Sequence, residues 1–174
     1  PVHTMTRSGN LLALVEDRLI RLIDISQPSA PREIDIGTCS GSIKALALVP
    51  PLLYAVGDEG YPLSVYAINE GMKRLGRSPG SDTVQKAVFG PTYLLLARKD
   101  KVGLVPLDSP RSPAPAAWVQ LPYPVISLAA DQSYGFALLD KDEFGTHRLA
   151  ILKIGPQRAT LKRMLPFTEL SYKM

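Results

Sequence analysis

The chain is poor in the residues that build reactive sites. Among 174 residues there is one cysteine, Cys39, and there are two histidines, His3 and His147. A single cysteine forbids an intrachain disulfide, which excludes a disulfide-stapled scaffold. It does not set the compartment, because a chain of this size folds without a staple. Cys39 reads as a small buried side chain, since a nucleophile needs a base and an electropositive pocket and no pattern supplies either. Two histidines without further ligand types at useful spacing predict no metal centre. There is no glycine-rich phosphate loop, no G-x-S-x-G elbow and no H-E-x-x-H. Asp140-Lys141-Asp142-Glu143 alternates carboxylates but lacks the other ligands of a calcium loop, and reads as a solvated acidic hairpin. No catalytic residue and no cofactor are expected.

Helical stripes are scarce too. No stretch of twelve or more residues carries apolar side chains at i, i+3, i+4 and i+7 with caps. The longest uncharged run, Ser112–Ala130, holds Pro113, Pro115, Pro122 and Pro124. That proline density is incompatible with a membrane helix, so no membrane insertion is expected. The formal charge is +4, and all of the excess lies in residues 141–174, with seven basic and three acidic residues; residues 1–140 hold 13 of each. A nucleic-acid footprint is denser and more clustered, so the basic end reads as a solvated face and no nucleic-acid partner is expected. No secretory or lipidation signal opens the chain. It begins at Pro1, as a processed or excised product does, so a missing leader says nothing about compartment.

What the chain does have is short runs of Val, Ile, Leu and Tyr, broken by Gly, Pro and Asp. An apolar share of 45% is enough for a folded core. Four segments align on an acidic turn: Leu11–Asp17, Leu52–Asp58, Leu94–Asp100 and Tyr134–Asp140. Their aspartates are 41, 42 and 40 residues apart. A further apolar run precedes each segment: Val2–Arg7, Ile43–Val49, Val84–Phe89 and Val125–Ala130. Two follow it. The first are Leu19–Ile25, Leu63–Ile68, Val102–Leu107 and His147–Ile154. The second are Arg32–Ile36, Lys73–Arg77, Ala117–Leu121 and Thr160–Leu165.

Four short strands per ~40 residues is the size of a propeller blade. The expected fold is all-β and propeller-like, with four four-stranded blades at about 1–37, 42–77, 83–121 and 125–165 in one domain, 1–174. A β-sandwich is the alternative, in which the repeat is an accident of turn spacing. Continuous runs such as Leu11–Val15 and Leu52–Val56 suit strands buried on both faces, while the alternation of Arg32–Ile36 suits an outer strand with one wet face. Four blades can close alone, pair with a second chain, or form one part of a larger ring. An open arc leaves two apolar faces bare. The tail, 166–174, reads as a loose end or a closing strand.

Leu19-Ile20-Arg21-Leu22-Ile23-Asp24-Ile25-Ser26, followed by Pro28-Ser29-Ala30-Pro31, resembles the repeat of the LVIVD family. Gly103–Pro110 keeps part of the motif with its aspartate shifted; the other two repeats keep only the apolar pattern. The resemblance implies a β-propeller, often in exported or cell-surface proteins, with no shared catalytic activity.

The recurring Asp17, Asp58, Asp100 and Asp140 suit tight turns, since the side chain bonds nearby backbone N–H groups. In a propeller these turns share a face with the blade-to-blade connections. A functional reading of the same residues is a ring that meets a cation or a basic partner, with Tyr61 and Phe144 on the longer loops as aromatic anchors. Trp118 is expected to cover a blade edge. The function that follows is a non-catalytic scaffold for protein–protein interaction, completed by self-association or by another chain. The alternative is an enzyme or ligand-binding subunit whose central-channel site forms on ring closure.

Overall fold

The β-branched and aromatic runs fold as strands, and the Gly, Pro and Asp clusters as the turns between them. The computed structural model describes residues 2–39, 43–57, 61–68, 71–80 and 84–167. The strands are β1 (Val2–Ser8), β2 (Leu11–Glu16), β3 (Leu19–Asp24), β4 (Arg32–Thr38), β5 (Ala45–Val49), β6 (Leu52–Val56), β7 (Ser64–Ala67) and β8 (Lys73–Arg77). They continue with β9 (Lys86–Phe89), β10 (Tyr93–Arg98), β11 (Lys101–Pro106), β12 (Ala117–Gln120), β13 (Val125–Ala130), β14 (Tyr134–Leu139), β15 (His147–Ile154) and β16 (Ala159–Phe167). Each consecutive set of four forms its own antiparallel meander. Four separate sheets exclude the two-sheet sandwich. Pro166 and Phe167, read from sequence as tail, belong to β16, and residues 168–174 lie outside the described residues.

The blades stack through three apolar cores. The first packs Ala13, Val15, Ile20 and Leu22 of blade one on Leu46, Leu48, Leu53, Ala55 and Tyr66 of blade two. In the second, Tyr54, Val56 and Val65 of blade two meet Leu94, Leu96 and Val105 of blade three. In the third, Leu95, Ala97, Val102 and Leu104 meet Ala137, Leu139, Ala150 and Leu152 of blade four. A hydrogen bond crosses each seam. Met72 N donates to Asp35 Oδ2 at 2.9 Å, Ser78 Oγ to the Ala114 carbonyl at 2.6 Å, and Tyr93 Oη to the Asp131 carbonyl at 2.5 Å. These bonds give polar groups at the seams a partner and help to fix blade spacing.

Three cores join four blades in a row. Among the described residues no core joins blade four back to blade one, so the arc is open. The second strands record this directly. Leu53–Val56 and Tyr93–Ala97, in the middle blades, are buried on both faces, as their apolar runs predict. Leu11–Val15 is not: Ala13 and Val15 are buried, while Leu12 and Leu14 are half-buried. β14 alternates in the same way. The expectation that Leu11–Val15 is covered on both sides fails because, among the described residues, no blade packs on the outside of blade one.

The third repeat also sits one residue off its sequence alignment. The β2–β3 turn is Asp17-Arg18, and Asp17 has φ 55°. The β10–β11 turn is Lys99-Asp100, and Lys99 has φ 49°. Lys99 is therefore the counterpart of Asp17, and Asp100 that of Arg18. Trp118 does more than cover an edge. It lies cross-strand from Gly103 and packs into the core between blades two and three, so close that a Cβ on Gly103 would stand 2.9 Å from its ring.

Candidate functional site

The turns between second and third strands gather on one face with the blade-to-blade connections. Cys39 N donates to the Arg18 carbonyl, Leu121 N to that of Asp100, Val125 N to that of Lys99, and Asp140 N to that of Pro124, at 2.7–2.9 Å. The turns of blades one, three and four thus bond the chain leaving or entering a blade, which makes the face rigid.

Three of the sequence-selected aspartates stand on this face, spread over three blades. Asp17 is exposed, its Oδ1 4.0 Å from His3 Nε2. Asp100 is half-buried, and its carbonyl also accepts from Gln120 Nε2 at 3.2 Å. Asp140 is exposed and its Oδ1 accepts from Lys141 N at 2.8 Å. Asp58 lies outside the described residues. The carboxylates do not converge, and among the described residues no group of three or more His, Cys, Asp or Glu is placed to hold a metal. Tyr61 is half-buried beneath Arg77, whose guanidinium carbon lies 4.3 Å from the ring centroid. That stacking engages one face of its ring within the blade. Phe144 is different. It is 81% exposed at the tip of the β14–β15 hairpin.

The hairpin is held by a residue the sequence reading passed over. Asp142, taken there as part of a solvated acidic loop, has a side chain only 1% exposed. Its Oδ1 accepts from Phe144 N and Thr146 N at 2.9 Å, and its Oδ2 from Arg148 Nε at 2.8 Å and Nη2 at 2.6 Å. The Thr146 N–H, then Arg148 and the Phe144 N–H, hold this carboxyl below the ordinary carboxylate range despite its burial. Gly145, at φ 77°, closes the turn and donates to the Asp142 carbonyl. The signal was present as Asp-x-x-Gly, an Asx-type turn, with an arginine six residues on.

The opposite face carries the proline loops. Asp24 Oδ1 accepts from Ser26 N at 2.8 Å, and this bond, then the Ser26 hydroxyl, lowers the Asp24 pKa. The Ser26–Pro31 loop turns on the bond from Ala30 N to the Gln27 carbonyl. Two clefts open at these loops. One of about 220 Å³ is lined by Asp24, Ser26, Gln27, Ala30 and Arg32; one of about 440 Å³ lies among Pro106, Asp108, Ser109, Pro115 and Gln157.

Neither a family model nor a curated protein matches the chain. Solved structures do. Hsv2p of Kluyveromyces lactis superposes with TM-score 0.67 at 12% identity, over 94% of this chain and 50% of its own. BamB of Moraxella catarrhalis gives 0.60 at 13%, over 93% and 49%, and the N-terminal domain of Nup159 gives 0.58 at 14%, over 92% and 47%. All three are β-propellers. The fold is a β-propeller fold. At such identities the likeness concerns the fold alone, and the chain spans about half the length of each of these propellers. No helix among the described residues is long and apolar enough to cross a membrane.

Proposed function

We propose that the chain is a non-catalytic β-propeller scaffold that binds a protein partner on the turn face, with Phe144 as its anchor. The observation that carries this is an aromatic side chain 81% exposed on a hairpin braced by a buried carboxylate. An aromatic ring held out by a rigid loop loses little entropy on docking, which is what an interface anchor needs. Asp17, Asp100 and Asp140 supply a carboxylate rim for a partner with a basic edge; Asp58 is assigned to it from the sequence repeat alone. Tyr61 adds less, because Arg77 already covers it. Kinship with LVIVD repeats belongs to the same reading: Leu19–Pro31 is a strand, an Asp-capped turn and a stiff proline loop, as the motif requires.

The test is quantitative co-purification of a native partner with the wild-type chain and with Phe144→Ala plus Tyr61→Ala. Truncating an anchor costs about 2 kcal/mol or more, or roughly a 30-fold loss of affinity. The variant should stay folded by circular dichroism, with a small loss of stability from the Arg77–Tyr61 stacking. Unchanged partner capture by the folded variant sinks the proposal.

A further inference from the structure

Every seam in the arc is made the same way. The trailing face of one blade lies on the leading face of the next. In β2 the trailing side chains are Leu11, Ala13 and Val15, and the leading ones are Leu12 and Leu14. Among the described residues, blade one therefore leaves a leading face open, and blade four a trailing face.

Blade four's open face has the make-up of the buried ones. Its Phe136 pairs with Ile151 and its Leu138 with Leu149, as Ala13 pairs with Leu22 and Val15 with Ile20. All four blade-four residues are half-buried and apolar. On blade one's open face, Leu12, Leu14, Leu19 and Ile23 are half-buried; Met5, cross-strand from Leu14, and Ile36, cross-strand from Arg21, are 67% and 44% exposed. Contiguous, partly exposed apolar faces of this kind suit an interface.

The polar residues identify the occupant. In the outer strands, Asp35 pairs with Leu22 and Arg163 with Ile151, so Arg163 is the blade-four counterpart of Asp35. By the same register Glu33 of blade one is the counterpart of Arg74 of blade two. Inside the chain, trailing Asp35 accepts from Met72 N, two residues before Arg74. At a seam between blade four and blade one, trailing Arg163 would face the outer strand that carries Glu33. Opposite charges would meet there. Bulk is exchanged. Gly37 lies where a Cβ would stand 3.0 Å from Met72 Cβ; the counterparts are Leu165 and Pro31, the larger side chain now on the trailing side. β13–β16 contain no Asp or Glu, while blade one's open face carries Glu16 and Glu33 around Arg21.

We propose that a second copy of this chain closes the ring head to tail, blade four of each copy seating on blade one of the other. This rests on the propeller reading above, and it commits the open faces to one occupant. A single second copy satisfies both faces through one two-fold axis and gives eight blades, within the usual range. Arg21 marks the new seam as the weaker one. The buried counterparts of Arg21 are small, Ser64, Gly103 and Ala150, whereas Arg21 brings a Glu–Arg–Glu cluster that must be partly dehydrated on closure.

Sedimentation equilibrium of the 174-residue chain tests this. The expected mass is twice 18.9 kDa. Leu14→Asp and Phe136→Asp, each shown to be folded by circular dichroism, should both be monomeric. An equimolar mixture should regain dimer, because blade four of the first still meets an intact blade one of the second. In a Cys39→Ala background, Pro31→Cys with Leu165→Cys should form an interchain disulfide on mild oxidation. A wild-type monomer overturns the proposal, and so does a dimer that survives Leu14→Asp, which would mean blade four pairs with itself. A wild-type monomer that still binds a partner through Phe144 would overturn closure and leave the scaffold reading standing.

Discussion

Gly135 and Leu95 give the sharpest test of how the blades stack. Gly135 lies on β14 of blade four and Leu95 on β10 of blade three, where Leu95 is fully buried. A Cβ on Gly135 would stand 2.4 Å from Leu95 Cδ1, with Ile154 Cδ1 at 3.5 Å and Leu152 Cβ at 3.7 Å. Carbon atoms pack at about 3.5–4.0 Å, so Leu95 must retreat by more than ~1 Å into an occupied core. Overpacking of this kind costs about 1–3 kcal/mol, offset by the ~0.5–1 kcal/mol that alanine gains over glycine in a strand. Gly135→Ala alone should therefore destabilise by about 1–2 kcal/mol. Leu95→Ala alone leaves a cavity and should cost about 2–5 kcal/mol. Together the two relieve each other: the clash disappears and the new methyl fills part of the void, recovering about 0.8 kcal/mol. The double variant should be more stable than Leu95→Ala by about 1 kcal/mol, a shift of roughly 2–4 °C in melting temperature. Urea unfolding at one fixed protein concentration, followed by Trp118 fluorescence and by circular dichroism, measures all four corners of the cycle. Additivity within about 0.5 kcal/mol would mean the two residues do not touch, and the seam between blades three and four would be wrong.

Two further outcomes follow from single side chains. Ser64 is fully buried, and among the described residues its Oγ has no hydrogen-bond partner; Ser64→Ala should raise stability by about 1 kcal/mol in the same urea assay, and a loss of that size would refute the assignment. The Asp142 carboxyl is held below its unfolded value, so its contribution is complete above the unfolded pKa of about 4 and falls away as pH drops through the lower folded value. Amide shifts of Phe144 and Thr146 should stay constant down to about pH 4 and move only below it; a titration midpoint at or above about 4 would contradict the bonding described.

Much of the fold is legible in the chain because strand pairing needs little more than period-two apolar runs and turn residues between them. The recurrence at 40–42 residues exposed the blades, and Asp24 with Pro28 and Pro31 marked a capped turn and a stiff loop. The third repeat was misaligned because Asp100 is the residue type that a left-handed turn position favours, whereas the residue holding that position is Lys99. Asp142 was missed because an aspartate between a lysine and a glutamate looks solvated; its burial depends on Arg148, brought alongside by the hairpin. Phe144 was legible as a loop aromatic, yet its exposure is set by the bracing beneath it.

The sixteen strands of the described residues, their grouping in fours and the turns that end them can be read from the chain, because these depend on contacts between near neighbours. Which of the apolar faces are core depends on tertiary packing. Leu11–Val15 and Leu52–Val56 are nearly the same in composition, but only the second has a blade on each side. Burial depends on what lies across the seam, and that lies about forty residues away along the chain, where local pattern carries no information about it.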